Sequence, residues 1–430
     1  MKPSRPDRPV SRVRPSWLAA PPLTRAGNAA EGAALLHEWP DGEAALLLGA
    51  LRDAMLWVET PHDARPSLFP AGAAARRLEQ IRSMPYADQL HTALVKLAAV
   101  TADPGSVETQ QVVDACRAII RWAEMRGAPG TRLAFMQVCA LAAPADPRSA
   151  LEVARLARDL GEHARAESWF RHAVQIARNQ DWESYVWAYV GLGVLYIRTG
   201  NLPAARAVMV RALRSSRRRR LSLLEGVAHH HLFHLETEAG HLREAYAHAR
   251  AALAAYGDNR SKLPGLASDV GRFWLCIGEP ARAFPLFEAA HSSIPEPDVR
   301  AMVAANAAQA AAEAGDREAY ERARLRALDL IQRVPGRSRL AEAYLRLAYG
   351  DAAAGEWTRA EEGASVAASF ARADGQAEVR LAAVALLERV QYRRAAPTIM
   401  PPAENPVLAR QGARLAEEFL RALARLGGEP

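Results

Sequence analysis

A chain of 430 residues, half of them hydrophobic, with a formal net charge of +7, can bury a large core and carries too small a charge excess for a body built to grip nucleic acid. It is rich in Ala, Leu, Arg and Glu and poor in Ile, Thr and Asn, which favours helix over sheet. No apolar run approaches the roughly 20 residues needed to cross a bilayer, so no membrane partner is expected.

Nearly all basic residues are Arg. The lysines are Lys2, Lys96 and Lys262, which leaves Schiff-base and phosphate-gripping lysine chemistry almost without candidates. Cys116, Cys139 and Cys276 lie far apart in apolar helical stretches and read as buried thiols in a reducing compartment, not as a disulfide frame or a zinc site. Residues 1–30 lack the apolar core of a signal peptide, so a cytoplasmic location is expected.

In chain order, residues 1–28 interleave Arg with Pro at 3, 6, 9, 15, 21 and 22. They are expected to be a disordered basic tail, either inert or an arm for an acidic partner or nucleic acid. Residues 29–145 are expected to form a helical cap. Its helices run over 29–58 with a break near Pro40, then over 73–84, 86–100, 107–127 and 131–142, the last two forming a degenerate repeat. The stretch 60–72, with prolines at 61, 66 and 70, is expected to be a loop.

The stretch from Tyr185 to Ser215 then sets the pattern. Tyr189, Leu192, Gly193, Tyr196, Gly200, Ala205, Met209 and Ala212 follow the order W-x2-L-G-x2-Y, G, A-x3-F-x2-A. This stretch resembles a tetratricopeptide repeat. The helix-ending glycine recurs as Gly161, Gly200, Gly240, Gly278, Gly315 and Gly355, at intervals of 39, 40, 38, 37 and 40. A small residue follows as Ala166, Ala205, Ala245, Ala283 and Ala360. In the fifth unit the register is expected to slip, with Ala319 early and Ala323 late. The period exceeds the usual 34 of the family, and comparable elongated repeats occur in bacterial regulators. The resemblance implies an all-α fold, a right-handed α-solenoid of antiparallel helix pairs in a tetratricopeptide-like superhelix, with six repeats over 146–394. A Pro-rich linker over 395–406 and a capping helix over 407–430 complete the chain, the helix placing Leu408, Leu415, Phe419, Leu423 and Leu426 on one side.

Six of the twelve histidines fall between His229 and His248. The resemblance implies that certain first-helix positions line a concave groove. Counting from each glycine, these positions hold Arg155, Arg158, Trp187, Val190, Val194, His230, His234, Glu238, Ser268, Arg272, Gln309, Glu313, Leu345 and Tyr349. His230, His234 and Glu238 fall on one helical stripe and offer a metal-ligating or pH-sensing set as one reading, or plain polar groove residues as the other. No metal or cofactor is assigned: His-Glu-x-x-His is absent. Arg214, Arg217, Arg218, Arg219 and Arg220 form a basic run that is either a phosphate-binding patch or a solvated helix end. No phosphate-loop, dinucleotide, nucleophile-elbow or Cys-x-x-Cys motif occurs. The expected function is therefore non-catalytic: a scaffold binding a partner peptide or helix in its groove. The alternatives are a regulatory or signal-sensing protein acting on a separate effector and, more remotely, nucleic-acid binding through the Arg-rich segments. A protein or peptide partner is expected; the oligomeric state is not legible.

Overall fold

The computed structural model describes residues 35–83, 89–333, 339–373, 376–392 and 406–427. The expected tail over 1–28 and the linker up to residue 405 lie outside these. Among the described residues the chain is helical and contains no strand. It divides into two compact units, the first ending at Leu224 and the second beginning at Glu225.

The first unit holds α1 (Asp41–Glu59), α2 (Ala73–Arg82), α3 (Gln89–Ala102), α4 (Thr109–Met125), α5 (Pro129–Ala142), α6 (Pro147–Asp159), α7 (His163–Ala177), α8 (Trp182–Arg198) and α9 (Leu202–Arg219). Part of the expected loop over 60–72 winds into a 3-10 turn, His62–Ser67. The first five helices share a core around Leu47, Trp57, Leu97, Cys116, Ile119 and Phe135. Polar groups seal it: the Trp57 indole donates to the Pro104 carbonyl at 2.8 Å. The Glu38 carboxylate accepts from the Gly130 and Thr131 backbone amides at 2.6 and 2.8 Å. A side chain from 92 residues away thus serves the first turn of α5, whose amides have no intrahelical acceptor. Cys116 and Cys139 are buried as expected, but the fold brings them within hydrogen-bond reach of each other, and Cys276 is exposed.

The second unit contains the body of α10 (Ser222–Glu238), then α11 (Leu242–Tyr256), α12 (Leu263–Cys276), α13 (Pro280–His291), α14 (Pro297–Glu313), α15 (Arg317–Gln332), α16 (Leu340–Ala353), α17 (Trp357–Ala373), α18 (Ala377–Gln391) and α19 (Pro406–Gly427). From α6 onward first and second helices alternate, and within each unit successive helices of the array pack together.

One device is repeated at the end of each first helix. Gly161, Gly200, Gly240, Gly278, Gly315 and Gly355 all have left-handed φ, between 73 and 79°. The amide of the residue after each glycine bonds the carbonyl five residues earlier, as in Glu162 to Ala157, Asn201 to Tyr196 and Glu356 to Asp351, at 2.9, 2.8 and 2.8 Å. This closes the helix with a left-handed residue that only Gly adopts without strain. The residue after the glycine can then open the next helix: Asn201 accepts from the Ala204 amide at 3.2 Å and Asp316 from Ala319 at 3.0 Å.

Five residues after the glycine, Ala166, Ala205, Ala245, Ala283 and Ala360 are fully buried, where a small side chain lets helices approach. In the fifth pair this position is Tyr320, also fully buried. The register has not slipped, because Asp316 caps α15 directly after Gly315 as Asn201 caps α9 after Gly200. Tyr stands in the place of Ala, and Arg324 in the place of the bulky apolar residue occupied elsewhere by Phe170, Met209 and Phe287. Both reach Asp351 of α16, Tyr320 Oη donating at 2.6 Å and Arg324 Nε at 2.7 Å.

The last helix corrects an expectation. It does not cover α18; it lies on α11, α12 and α13. Its apolar side, Leu415, Phe419, Ala422, Leu423 and Leu426, is buried, Gly412 passes close over Tyr246 and Arg282, and Glu418 takes hydrogen bonds from Arg250 at 2.8 Å and Arg414 at 3.1 Å. The amphipathic pattern stated that this helix must be covered, and the seat on α11–α13 supplies the contacts; Leu381 and Val384 of α18 stay exposed.

Candidate functional site

α10 is packed on two sides, which explains its weak amphipathic pattern. Leu224, Val227, Ala228, Leu232, Phe233 and Leu235 are buried, and so are the polar His229 and Glu236. The narrow stripe left over carries His230 and His234, one helical turn apart, with rings stacked at 5.1 Å. Both turn Nε2 to one oxygen: Asp269 Oδ2, on α12, lies 2.9 Å from His230 Nε2 and 3.2 Å from His234 Nε2. The ligating atoms of the three side chains all lie within 4.8 Å of one another. Tyr256, at the end of α11, places its hydroxyl 3.4 Å from His230 Nδ1. Its ring fits beneath α10 because position 226 is Gly: a Cβ there would meet the ring at 2.5 Å.

The electrostatics of the cluster are set by burial against hydrogen bonding. Burial pushes the His230 imidazole below its usual value, partly offset by Asp269. Burial alone would raise the Asp269 carboxyl, but hydrogen bonds from His230 and His234 outweigh it and hold the group well below the usual carboxylate range. The carboxylate is therefore ionised at neutral pH and accepts from both rings.

The remaining histidines of the run are otherwise engaged. His229 Nδ1 is 2.8 Å from His248 Nδ1, and His241 Nδ1 bonds the buried Glu236 carboxylate at 2.9 Å. Glu238 is exposed, so the expected triad of His230, His234 and Glu238 is corrected: Asp269 takes the third place. Counting from Gly278 pointed to Ser268, which is buried; the side chain that reaches α10 is its neighbour.

The other groove positions divide. In the second unit Arg272 is exposed and Tyr349 half-buried. Gln309 and Leu345 are buried, since a Cβ on Gly350 of α16 would meet the Gln309 backbone at 3.1 Å and the helices leave no room for a groove side chain there. Gln309 Nε2 instead donates to the exposed Glu313 at 2.7 Å. Burial, and then the like charge of Arg272, lower the half-buried Arg346 guanidinium. In the first unit the Arg155 guanidinium lies over the Trp187 ring at 5.1 Å, Arg158 pairs with Asp159 at 3.1 Å, and Val194 is half-buried. Val190 belongs to the core and is withdrawn as a groove residue.

The basic run, Arg214, Arg217, Arg218, Arg219 and Arg220, is exposed at the C-terminal end of α9, where helix carbonyls favour positive charge. Its members do not converge on one pocket. Successive helical residues turn by about 100°, so Arg218 shares a side of α9 with Arg214, one turn earlier, and not with Arg217 or Arg219. Arg219 instead lies over the Trp182 ring at 3.9 Å, an aromatic contact with no trace in the local sequence, and Arg220 closes the helix with φ 58°. All five, including Arg218, stand on the exposed end of α9, the placement that the solvated-helix-end expectation calls for. Sequence reasoning missed a cavity of about 710 Å³ between α11 and α19, lined by Arg243, Arg250, Arg410 and Arg414 with Glu418 among them.

Helix pairs closed by one recurring glycine cap and leaving polar side chains on their first helices define a helical-repeat protein. Residues 147–218, covering α6–α9, match the family model of the tetratricopeptide repeat. Residues 147–218 are thus identified as tetratricopeptide repeats, a repeat that supports a protein-interaction or sensor scaffold. No curated protein matches the chain. Among solved structures it is similar to BtubC from P. vanneervenii, at 18% identity over 52% of this chain and 91% of that one, TM-score 0.39. It is similar to a signal-transduction ATPase with a tetratricopeptide repeat sensor from Pyrococcus horikoshii, at 13% identity over 82% of this chain and 52% of that one, TM-score 0.45. A third is the Cut9–Hcn1 hetero-tetramer of the APC/C, at 11% identity over 92% of this chain and 72% of that one, TM-score 0.45. No helix among the described residues is long and apolar enough to cross a membrane.

Proposed function

We propose that this protein is a non-catalytic interaction scaffold with six repeats over 146–394, and that the first helices of its second unit bind a peptide or helix of a protein partner. The observation that carries the reading is the chemistry left on that surface. The first helices α10, α12 and α16 bury their apolar residues and leave accessible His230, His234, Asp269, Arg272 and Tyr349, a set able to bond a partner's carboxylates and stack on its side chains. Arg155, Arg158, Trp187 and Val194 offer a comparable stretch in the first unit. The second reading, a sensor that acts on a separate effector, is favoured by the half-buried His230–His234–Asp269 cluster, which suits a small ligand.

The test is quantitative affinity capture from native cells with the wild type, an Arg272→Ala/Tyr349→Ala variant and, as control, a variant with Arg217, Arg218, Arg219 and Arg220 changed to Ser. The reading expects the first variant to lose specific partners that the control keeps. Equal recovery by the wild type and the first variant sinks it.

A further inference from the structure

We propose that His230, His234 and Asp269 form a three-ligand site for a zinc-class divalent cation, with a fourth coordination position open to solvent. The inference goes beyond the partner-binding reading and stands without it. Two imidazoles four residues apart on one helix make a natural chelate, since consecutive turns point both rings the same way. Their Nε2 atoms lie 2.9 and 3.2 Å from Asp269 Oδ2. In a tetrahedral site with bonds of 2.0–2.1 Å, donor atoms stand about 3.3 Å apart. Both nitrogen–oxygen distances are already within a few tenths of an ångström of that spacing, and all three donor atoms lie within 4.8 Å of one another.

The donor set selects the metal. Two imidazole nitrogens and one carboxylate oxygen suit Zn²⁺, Co²⁺ or Ni²⁺, whereas Ca²⁺ and Mg²⁺ call for a shell of oxygens and Cu⁺ for sulfur. The surroundings fit as well. With Nε2 on a metal, His230 Nδ1 carries the proton, and the Tyr256 hydroxyl 3.4 Å away is placed to accept it, the outer-shell contact that fixes a ligating imidazole. Side-chain exposures of 17, 35 and 27% for His230, His234 and Asp269 give an ion and a fourth ligand access from solvent. Because α10 and α12 belong to successive helix pairs, the ion would tie one repeat to the next.

The test uses the full chain without an affinity tag, stripped with chelator and equilibrated with Zn²⁺ or Co²⁺. About one equivalent per chain is expected by elemental analysis, with a cobalt absorption spectrum of tetrahedral intensity. His234→Ala and Asp269→Ala abolish both signals, and Tyr256→Phe weakens binding about tenfold or more. His234→Gln, which keeps a polar side chain of similar reach, loses the metal while retaining the circular dichroism of the metal-free wild type. His241→Ala keeps the full equivalent. Less than about a tenth of an equivalent in the wild type, or undiminished binding in a His230→Ala/His234→Ala double variant, overturns the proposal. Neither result bears on partner capture through Arg272 and Tyr349, so the two readings fail separately.

Discussion

Replacing Gly191 with Ala drives a methyl group into the ring of Phe170. A Cβ at position 191 of α8 would lie 2.1, 2.5 and 2.7 Å from three ring carbons, where carbon atoms ordinarily rest about 3.5–4 Å apart. Phe170 is fully buried and its ring cannot fold aside, so α7 and α8 must separate locally. Overpacking of this kind costs about 1–3 kcal/mol, and Ala returns about 1 kcal/mol of helix propensity over Gly. A contact as short as 2.1 Å puts the cost at the upper end of that range, so the predicted net loss is about 2 kcal/mol. Gly193, two residues on, is the comparison: its added Cβ meets the Met209 side chain, Cε at 2.3 Å and Cγ at 2.9 Å, which is also fully buried but unbranched and able to change rotamer, so Gly193→Ala costs less than Gly191→Ala. Urea unfolding of the full chain followed by circular dichroism, with hydrogen exchange of α7 and α8 amides, reads the difference even if the repeats do not unfold in one step. Adding Phe170→Leu to Gly191→Ala should recover part of the loss. A Gly191→Ala protein as resistant to urea as Gly193→Ala would refute the packing argument.

Asp351→Ala leaves the Arg324 guanidinium, with 16% of its side chain exposed, and the buried Tyr320 hydroxyl without their acceptor. The expected destabilisation is about 3–5 kcal/mol, measured by chemical denaturation. Glu38→Ala removes the acceptor from the first turn of α5 and should cost about 1–2 kcal/mol, with hydrogen exchange accelerating first at the Gly130 and Thr131 amides. Burial lowers the His172 imidazole below its ordinary 6.5, so the folded chain binds this proton less readily than the unfolded chain. The stability it contributes is complete above pH 6.5 and declines as pH falls towards the lower folded value; His172→Gln should make that decline shallower in denaturation midpoints measured across the acid range.

The sequence disclosed the features that steric rules dictate locally. A residue that must adopt left-handed φ is Gly, so the six caps could be counted, and a helix crossing that admits only a methyl group is Ala, so the packing positions followed. Tyr320 and Arg324 broke the pattern and looked like a slip, because a polar pair replacing Ala and Phe makes sense only beside Asp351, which lies on the next first helix. Asp269 was hidden for a related reason. The stripe on α10 suggested Glu238 one turn after His234, but the third partner sits on another helix, one residue away from the position that counting favoured. Neither Glu38 at the start of α5 nor the seat of α19 leaves a local trace: the first is a contact across 92 residues, and an amphipathic helix states only that it must be covered.

The central claim, that the first-helix surface of the second unit carries the partner, is tested most directly by site-specific photo-crosslinking in native cells. A photoreactive amino acid is placed at Tyr349 or Arg272, and for comparison at Leu325, which is 63% exposed on the second helix α15. The account predicts a discrete protein adduct from the first two positions and none from Leu325. Adducts from Leu325 with none from Tyr349 or Arg272 would contradict it.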